Sequence, residues 1–125
     1  MTTATAVLTV YHGTGAYALE PIRAKGPEKN RRNYTRRPCF CTTTDLAVAR
    51  RFAARKTGAD DFLAGRLTGV VLEYRLDGDA GKDYAPARDP SCMQDEREVA
   101  VFNTKRLALA AVWRHDGTKW VREPV

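Results

Sequence analysis

The chain has 125 residues and a mass of 13.9 kDa, enough for one domain spanning residues 1–125 with a single modest core and too little for a second. Apolar residues make up 43% of it, yet no run approaches the roughly 20 consecutive apolar residues that a membrane-spanning helix needs. The formal net charge is +6 at pH 7, and its uneven distribution is the first sign of a polyanionic partner.

The opening stretch, MTTATAVLTV, has no basic residues ahead of its short apolar run, so it reads as a strand of the mature fold rather than a secretory leader. AVLTVYH alternates and is rich in β-branched residues, which predicts a strand over residues 6–12. His12 ends it, and Gly13-Thr14-Gly15 follows at once, a backbone that bends sharply or admits something close. The spacing of Gly13, Gly15 and Ala18 matches a dinucleotide-binding fingerprint, but the context fails. Pro21 interrupts the helix such a unit requires, and a basic loop stands where its second parallel strand should be.

That loop, residues 23–38, carries the net charge of the whole protein. Seven basic residues (Arg23, Lys25, Lys29, Arg31, Arg32, Arg36 and Arg37) lie in it beside one acid, Glu28, and the remaining chain has 14 of each sign. With two prolines, a glycine and no apolar periodicity, it reads as a solvated loop. Paired arginines suit bidentate phosphate contact and Tyr34 adds a stacking face, so Arg31, Arg32, Tyr34, Arg36 and Arg37 are the candidate nucleic-acid or phosphate contacts.

CFCTT predicts a second, short strand. The period then changes: in TTDLAVARRFAARKTG, Leu46, Ala49, Phe52, Ala53 and Lys56 recur at helical spacing. Thr44 or Asp45 serves as N-cap and Gly58 as terminator, with Arg50, Arg51 and Arg55 on the polar face. GVVLEYRL alternates again, placing Val70, Leu72, Tyr74 and Leu76 on one side. DYAPARDPSC, with Tyr84, reads as irregular, an acceptor-facing loop before the next strand. EVAVFN and LALAAVWR are further strands, and RHDGTKWV is a hairpin around Asp116-Gly117. His115 is expected in solvent there, and Trp113 and Trp120 as packing partners on the last strands.

One main helix among about six strands predicts an α+β domain with a mostly antiparallel sheet. The three cysteines, Cys39, Cys41 and Cys92, form no disulfide framework and no zinc-ligand pattern, which points to a reduced, cytoplasmic setting without a metal. In QDEREVAVFN, a strand beginning near Glu98 sends Glu96 and Glu98 to one side and Val99 and Val101 towards the core. Two carboxylates at a strand entrance can stabilise a forming cation and orient an acceptor, although exposed strand ends also carry glutamates.

His-Gly-Thr ending the first strand, FCTTTD leading into an amphipathic helix, and EREVAVFN opening a late strand, in that order, resemble the mono-ADP-ribosyltransferases of the histidine–tyrosine–glutamate branch, from residue 7 to residue 113. That branch includes diphtheria-type toxins, poly(ADP-ribose) polymerases and small bacterial toxin domains. The resemblance implies a split antiparallel sheet with NAD as substrate. It places His12 on the adenine-side ribose, the Gly13 backbone on the nicotinamide amide and Thr14 near the ribose, with Thr42 beside them in the second motif. Phe40 would stack on nicotinamide, and Phe52 would close the other face. Glu98 would hold the 2′-hydroxyl of the nicotinamide ribose, and Glu96 would bear on acceptor choice. The branch usually has tyrosine where this chain has Phe40; Tyr34 and Tyr74 are the alternatives for the missing hydroxyl.

A carboxylate beside the sugar hydroxyl suits the chemistry, because breaking the nicotinamide–ribose bond builds positive charge on the sugar. The basic loop makes a nucleic acid, DNA or RNA, the favoured acceptor, while the same arginines would also suit the NAD pyrophosphate and a protein acceptor stays open. An RNA 2′-phosphotransferase relative is the second class, against which the carboxylates at 96 and 98 speak, and a non-catalytic NAD- or nucleic-acid-binding module is the third. The size and the resemblance suit a toxin or defence effector, which would need an antitoxin or immunity partner.

Overall fold

In the computed structural model, which describes residues 7–29, 38–86 and 98–125, the first strand becomes the middle of the molecule. β1 (Val7–Thr14) pairs antiparallel with β3 (Val70–Asp77) over its whole length, from Val7 opposite Asp77 to Thr14 opposite Val70. On its other side it meets β2 (Phe40–Thr43) through one registered pair, Tyr11 with Thr43. β4 (Tyr84–Pro86), β5 (Glu98–Val101), β6 (Leu107–His115) and β7 (Trp120–Pro124) complete a seven-stranded sheet in the order β4-β5-β2-β1-β3-β6-β7. Every strand pairing is antiparallel. The sheet therefore consists of a β4-β5-β2 part and a β1-β3-β6-β7 part, joined narrowly at Tyr11 and Thr43.

The alternation in β3 explains the layers. Val70, Leu72, Tyr74 and Leu76 are all at most 2% exposed and join Val10, Phe40 and Val112 in the main core. α1 (Leu19–Lys25) closes this side with Leu19 and Ile22. The other face of β3 is also buried, because α2 (Leu46–Arg55) packs Ala49 and Ala53 against Val71. Two glycines let that helix approach. A β-carbon on Gly13 would run into the carbonyl oxygen of Ala49, and one on Gly69 into that of Ala53. Gly13 thus answers to helix packing on its side-chain face, a demand that the sequence alone does not separate from close approach of a ligand.

The predicted α+β class with an antiparallel sheet describes the molecule, with a seventh strand, β4, at Tyr84–Pro86 where the sequence reads as irregular, and three further differences. First, β1 continues through Gly13 and Thr14 rather than stopping at His12, because β3 offers partners to residue 14. Second, a 3-10 turn (Ala16–Ala18) and α1 occupy the stretch where Pro21 argued against a helix, and α1 takes in Arg23 and Lys25, which were expected in the basic loop at 23–38. Pro21 stands in the first turn, where no N–H is needed for the helical ladder. Third, Gly58 does not end α2 but opens a short α3 (Ala59–Leu63).

Asp45 caps α2 as expected, its Oδ1 accepting from the Ala47 N–H at 2.8 Å. The last hairpin turns at Asp116-Gly117, where Gly117 has φ of 100° and the Asp116 carboxylate accepts from the N–H groups of Thr118 and Lys119. Those bonds hold the Asp116 carboxyl below its ordinary range. Among the described residues no helix is long and apolar enough to cross a membrane.

Candidate functional site

Past Tyr11, β1 and β2 are no longer in register, and a cavity of about 370 Å³ opens there. His12 and Thr14 of β1, Phe40 and Cys41 of β2, and Tyr17 and Ile22 from the turn and α1 form its walls. Gly26, with φ of 81°, ends α1 and turns the chain back along the cavity, which brings Glu28 to its edge.

His12 is oriented at two points. Its Nδ1 lies 2.6 Å from the carbonyl oxygen of Cys41, and its ring sits 4.3 Å from that of Phe40. A carbonyl only accepts, so Nδ1 carries the proton and, in the neutral ring, Nε2 is an acceptor.

Phe40 has little surface to offer. It is 5% exposed, with one neighbour in His12 and another in Tyr74, whose ring meets it edge-on at 5.8 Å. Tyr74 is 2% exposed in the same core. Among the described residues its hydroxyl has no hydrogen-bond partner, and burial pushes the phenol well above its ordinary range. It therefore supplies no hydroxyl to the cavity.

Thr42 is also withdrawn: it is 3% exposed and its hydroxyl donates to the Val99 carbonyl at 3.0 Å, tying β2 to β5. Thr14 is nearly buried but does line the cavity.

Strand alternation sends Tyr11 to the face opposite His12. Tyr11, Thr43 and Glu98 are registered neighbours on β1, β2 and β5, so their side chains form one row on that second face. Glu98 heads β5 and is half-buried. Phe52 belongs to the same side, since it rides on α2 above Gly13 and is 48% exposed. Phe40 and Phe52 thus lie on opposite faces of the sheet and do not wall a single slot.

A second group of polar side chains lies farther along this face. Glu73 is buried and accepts from Trp113 Nε1 at 3.0 Å and from Arg122 through both carboxylate oxygens, at 3.1 and 2.7 Å. The paired guanidinium holds the Glu73 carboxyl below its usual range. Burial, and then the Glu73 charge, push the Tyr11 phenol up. His115, at the hairpin, packs edge-on against Trp120 at 5.5 Å and its Nδ1 accepts from the Gly117 N–H.

Of the residues singled out from sequence, the structure brings His12, Thr14 and Phe40 together at the cavity; Gly13, which α2 covers, and Phe52 and Glu98 belong to the other face of the sheet and do not line that cavity. Glu96, Arg31, Arg32, Tyr34, Arg36, Arg37 and Cys92 lie outside the described residues. Tyr17, Ile22 and Glu28 were missed as site residues. Their signal was hidden behind Pro21, which masked the short helix that carries the chain past the cavity.

No family model, no curated protein and no solved structure matches this chain.

Proposed function

We propose that this protein is an NAD-dependent mono-ADP-ribosyltransferase that passes ADP-ribose to a nucleic-acid acceptor and releases nicotinamide. The observation that carries this reading is the opening between the two parts of the sheet, with an oriented histidine at it on one face and, on the other face, a carboxylate at a strand entrance in the row that crosses the junction. An ADP-ribosyltransferase-like fold is supported by the narrow junction at Tyr11 and Thr43, which makes the sheet a split one, and by α2 as the main amphipathic helix.

The residues fit a dinucleotide that folds across β1. A cavity of about 370 Å³ lies at the small end of the range of about 300–1,000 Å³ for ligand pockets, so it suits a nucleoside rather than a whole NAD. In it, His12 Nε2 accepts from a hydroxyl of the adenine-side ribose, Tyr17 offers an exposed ring to the base and Glu28 takes a donor of the adenosine. On the second face α2 covers Gly13, so Phe52 receives the nicotinamide end there, beside the row that ends in Glu98.

There Glu98 accepts from the 2′-hydroxyl of the nicotinamide ribose. That bond strengthens as positive charge grows on the sugar, which lowers the barrier to breaking its bond to nicotinamide. The bonding pair leaves with the nicotinamide nitrogen, and a lone pair on the acceptor forms the new bond to the same sugar carbon, its proton passing to Glu98 or to water.

Purified protein with NAD should release nicotinamide, and Glu98→Gln should cut the rate by about 10²-fold or more, the scale for losing one transition-state electrostatic contact. A variant that retains more than half the rate would remove Glu98 from this role.

A further inference from the structure

The surface of α2 beside Phe52 is strongly basic and unneutralised. Arg51, Arg55 and Lys56 are all exposed, and no acid occurs between Asp45 and Asp60. Among the described residues none of the three has an acidic partner; the nearby Asp61 is engaged by Arg66 at 3.3 Å. Arg51 and Arg55 stand one turn apart on the same side of the helix. The guanidinium of Arg55 lies 5.7 Å over the Phe52 ring, which holds one of these cations directly beside the opening.

We infer that this face of α2 is the docking surface for the phosphate backbone of the nucleic-acid acceptor. Three cations without counter-charges among the described residues, on one short helix and its C-cap, present a field that a chain of phosphates complements, and two of them are arginines, whose planar forks suit phosphate oxygens. The position adds a second argument. α2 packs straight onto Gly13, so a strand held along Arg51, Arg55 and Lys56 runs beside Phe52, on the face of the sheet that also carries Glu98. This surface is built from residues of α2 and its C-cap alone. The choice of a nucleic acid among polyanions rests on the transferase reading above; the electrostatics of the helix does not.

The test is fluorescence anisotropy with a labelled mixed-sequence single-stranded oligonucleotide, DNA in one arm and RNA in the other, and labelled polyglutamate in a third. Wild-type protein is compared with Arg51→Gln/Lys56→Gln, which leaves Arg55 on Phe52. Glutamine keeps helix propensity, and far-ultraviolet circular dichroism checks the fold.

The expected result is at least tenfold weaker oligonucleotide binding by the variant, and a plot of log affinity against log salt that is shallower by about 1.4, the value for two lost phosphate contacts to a single strand. The arm that binds more tightly names DNA or RNA as the source. An unchanged affinity and slope, or polyglutamate binding as tight as either oligonucleotide, would overturn the inference. Nicotinamide release with water as acceptor is measured on the same samples. A salt-slope difference without any release sinks the transferase reading and leaves the docking surface standing.

Discussion

His12 Nδ1 and the Cys41 carbonyl oxygen are 2.6 Å apart, across the place where β1 and β2 part. One side-chain-to-backbone bond thus spans the opening and fixes both the tautomer and the plane of the ring. In the proposed reading His12 contributes to binding through Nε2 as an acceptor, worth about 1–1.5 kcal/mol for a single neutral hydrogen bond. His12→Ala should weaken NAD binding by about tenfold, seen as a raised KM with kcat nearly unchanged, and calorimetric titration should give the same loss.

Tyr17 is 77% exposed and stands over Gly15 at the cavity. So exposed a ring contributes little to folding, and its removal should leave thermal stability within about 0.5 kcal/mol of wild type. Tyr17→Ala should nevertheless weaken NAD binding several-fold, on the scale of one lost stacking contact of about 1 kcal/mol, while Tyr17→Trp restores it. Equal affinities for all three proteins would take the base away from this wall.

Gly13 and Gly69 are fixed by the backbone of α2. Gly13→Ala forces a methyl group against Ala49 and Ala53, so the helix has to shift. Overpacking of this kind costs about 1–3 kcal/mol, readable as a lower urea midpoint. The same substitution at Gly69 should cost a similar amount without any direct effect on NAD affinity, since Gly69 does not line the cavity.

Glu73 ties β7 to the sheet through Arg122 and Trp113. Its carboxyl is held below the ordinary value of 4.5, so the folded state binds that proton less tightly than the unfolded chain does. Its contribution is present in full above about pH 4.5 and is lost as the pH falls through the lower, folded value. Glu73→Gln should cost about 2 kcal/mol at pH 7, the scale of hydrogen bonds to a charged group, and the gap between variant and wild type should narrow as the medium is acidified below pH 4.5. A gap that widens on acidification would contradict this assignment.

Phe40→Tyr tests the departure from the usual aromatic residue. The ring is closed in between His12 and Tyr74, so a hydroxyl added there meets packed core. The variant should be less stable by about 1–3 kcal/mol and release nicotinamide no faster.

Much of this arrangement is legible in the sequence, and the rest is hidden for identifiable reasons. The alternation in VVLEYRLD locates β3 and its core side because a period of two has one meaning in a half-buried strand. His12 is conspicuous because a polar ring interrupts an apolar strand just before two glycines. Which face of the sheet an aromatic residue occupies is not a local property: Phe40 and Phe52, twelve residues apart, look like two walls of one slot until the crossover to α2 is seen. Nor does the sequence show that Gly13 is demanded by a helix lying on it, or that the Thr42 hydroxyl is spent on Val99. The cavity itself depends on α1, and Pro21 reads as a helix breaker unless its place in the first turn is known.

The measurement that bears most directly on the central claim follows label from NAD. Protein is incubated with NAD labelled in the adenylate phosphate and, in separate reactions, with RNA, with single-stranded DNA, with duplex DNA and with lysate protein, alongside Glu98→Gln. The account predicts label in a nucleic-acid pool, nicotinamide released in equal amount, and neither with Glu98→Gln. Label confined to protein would contradict the acceptor class, and no label in any pool with no nicotinamide released would contradict the transferase itself.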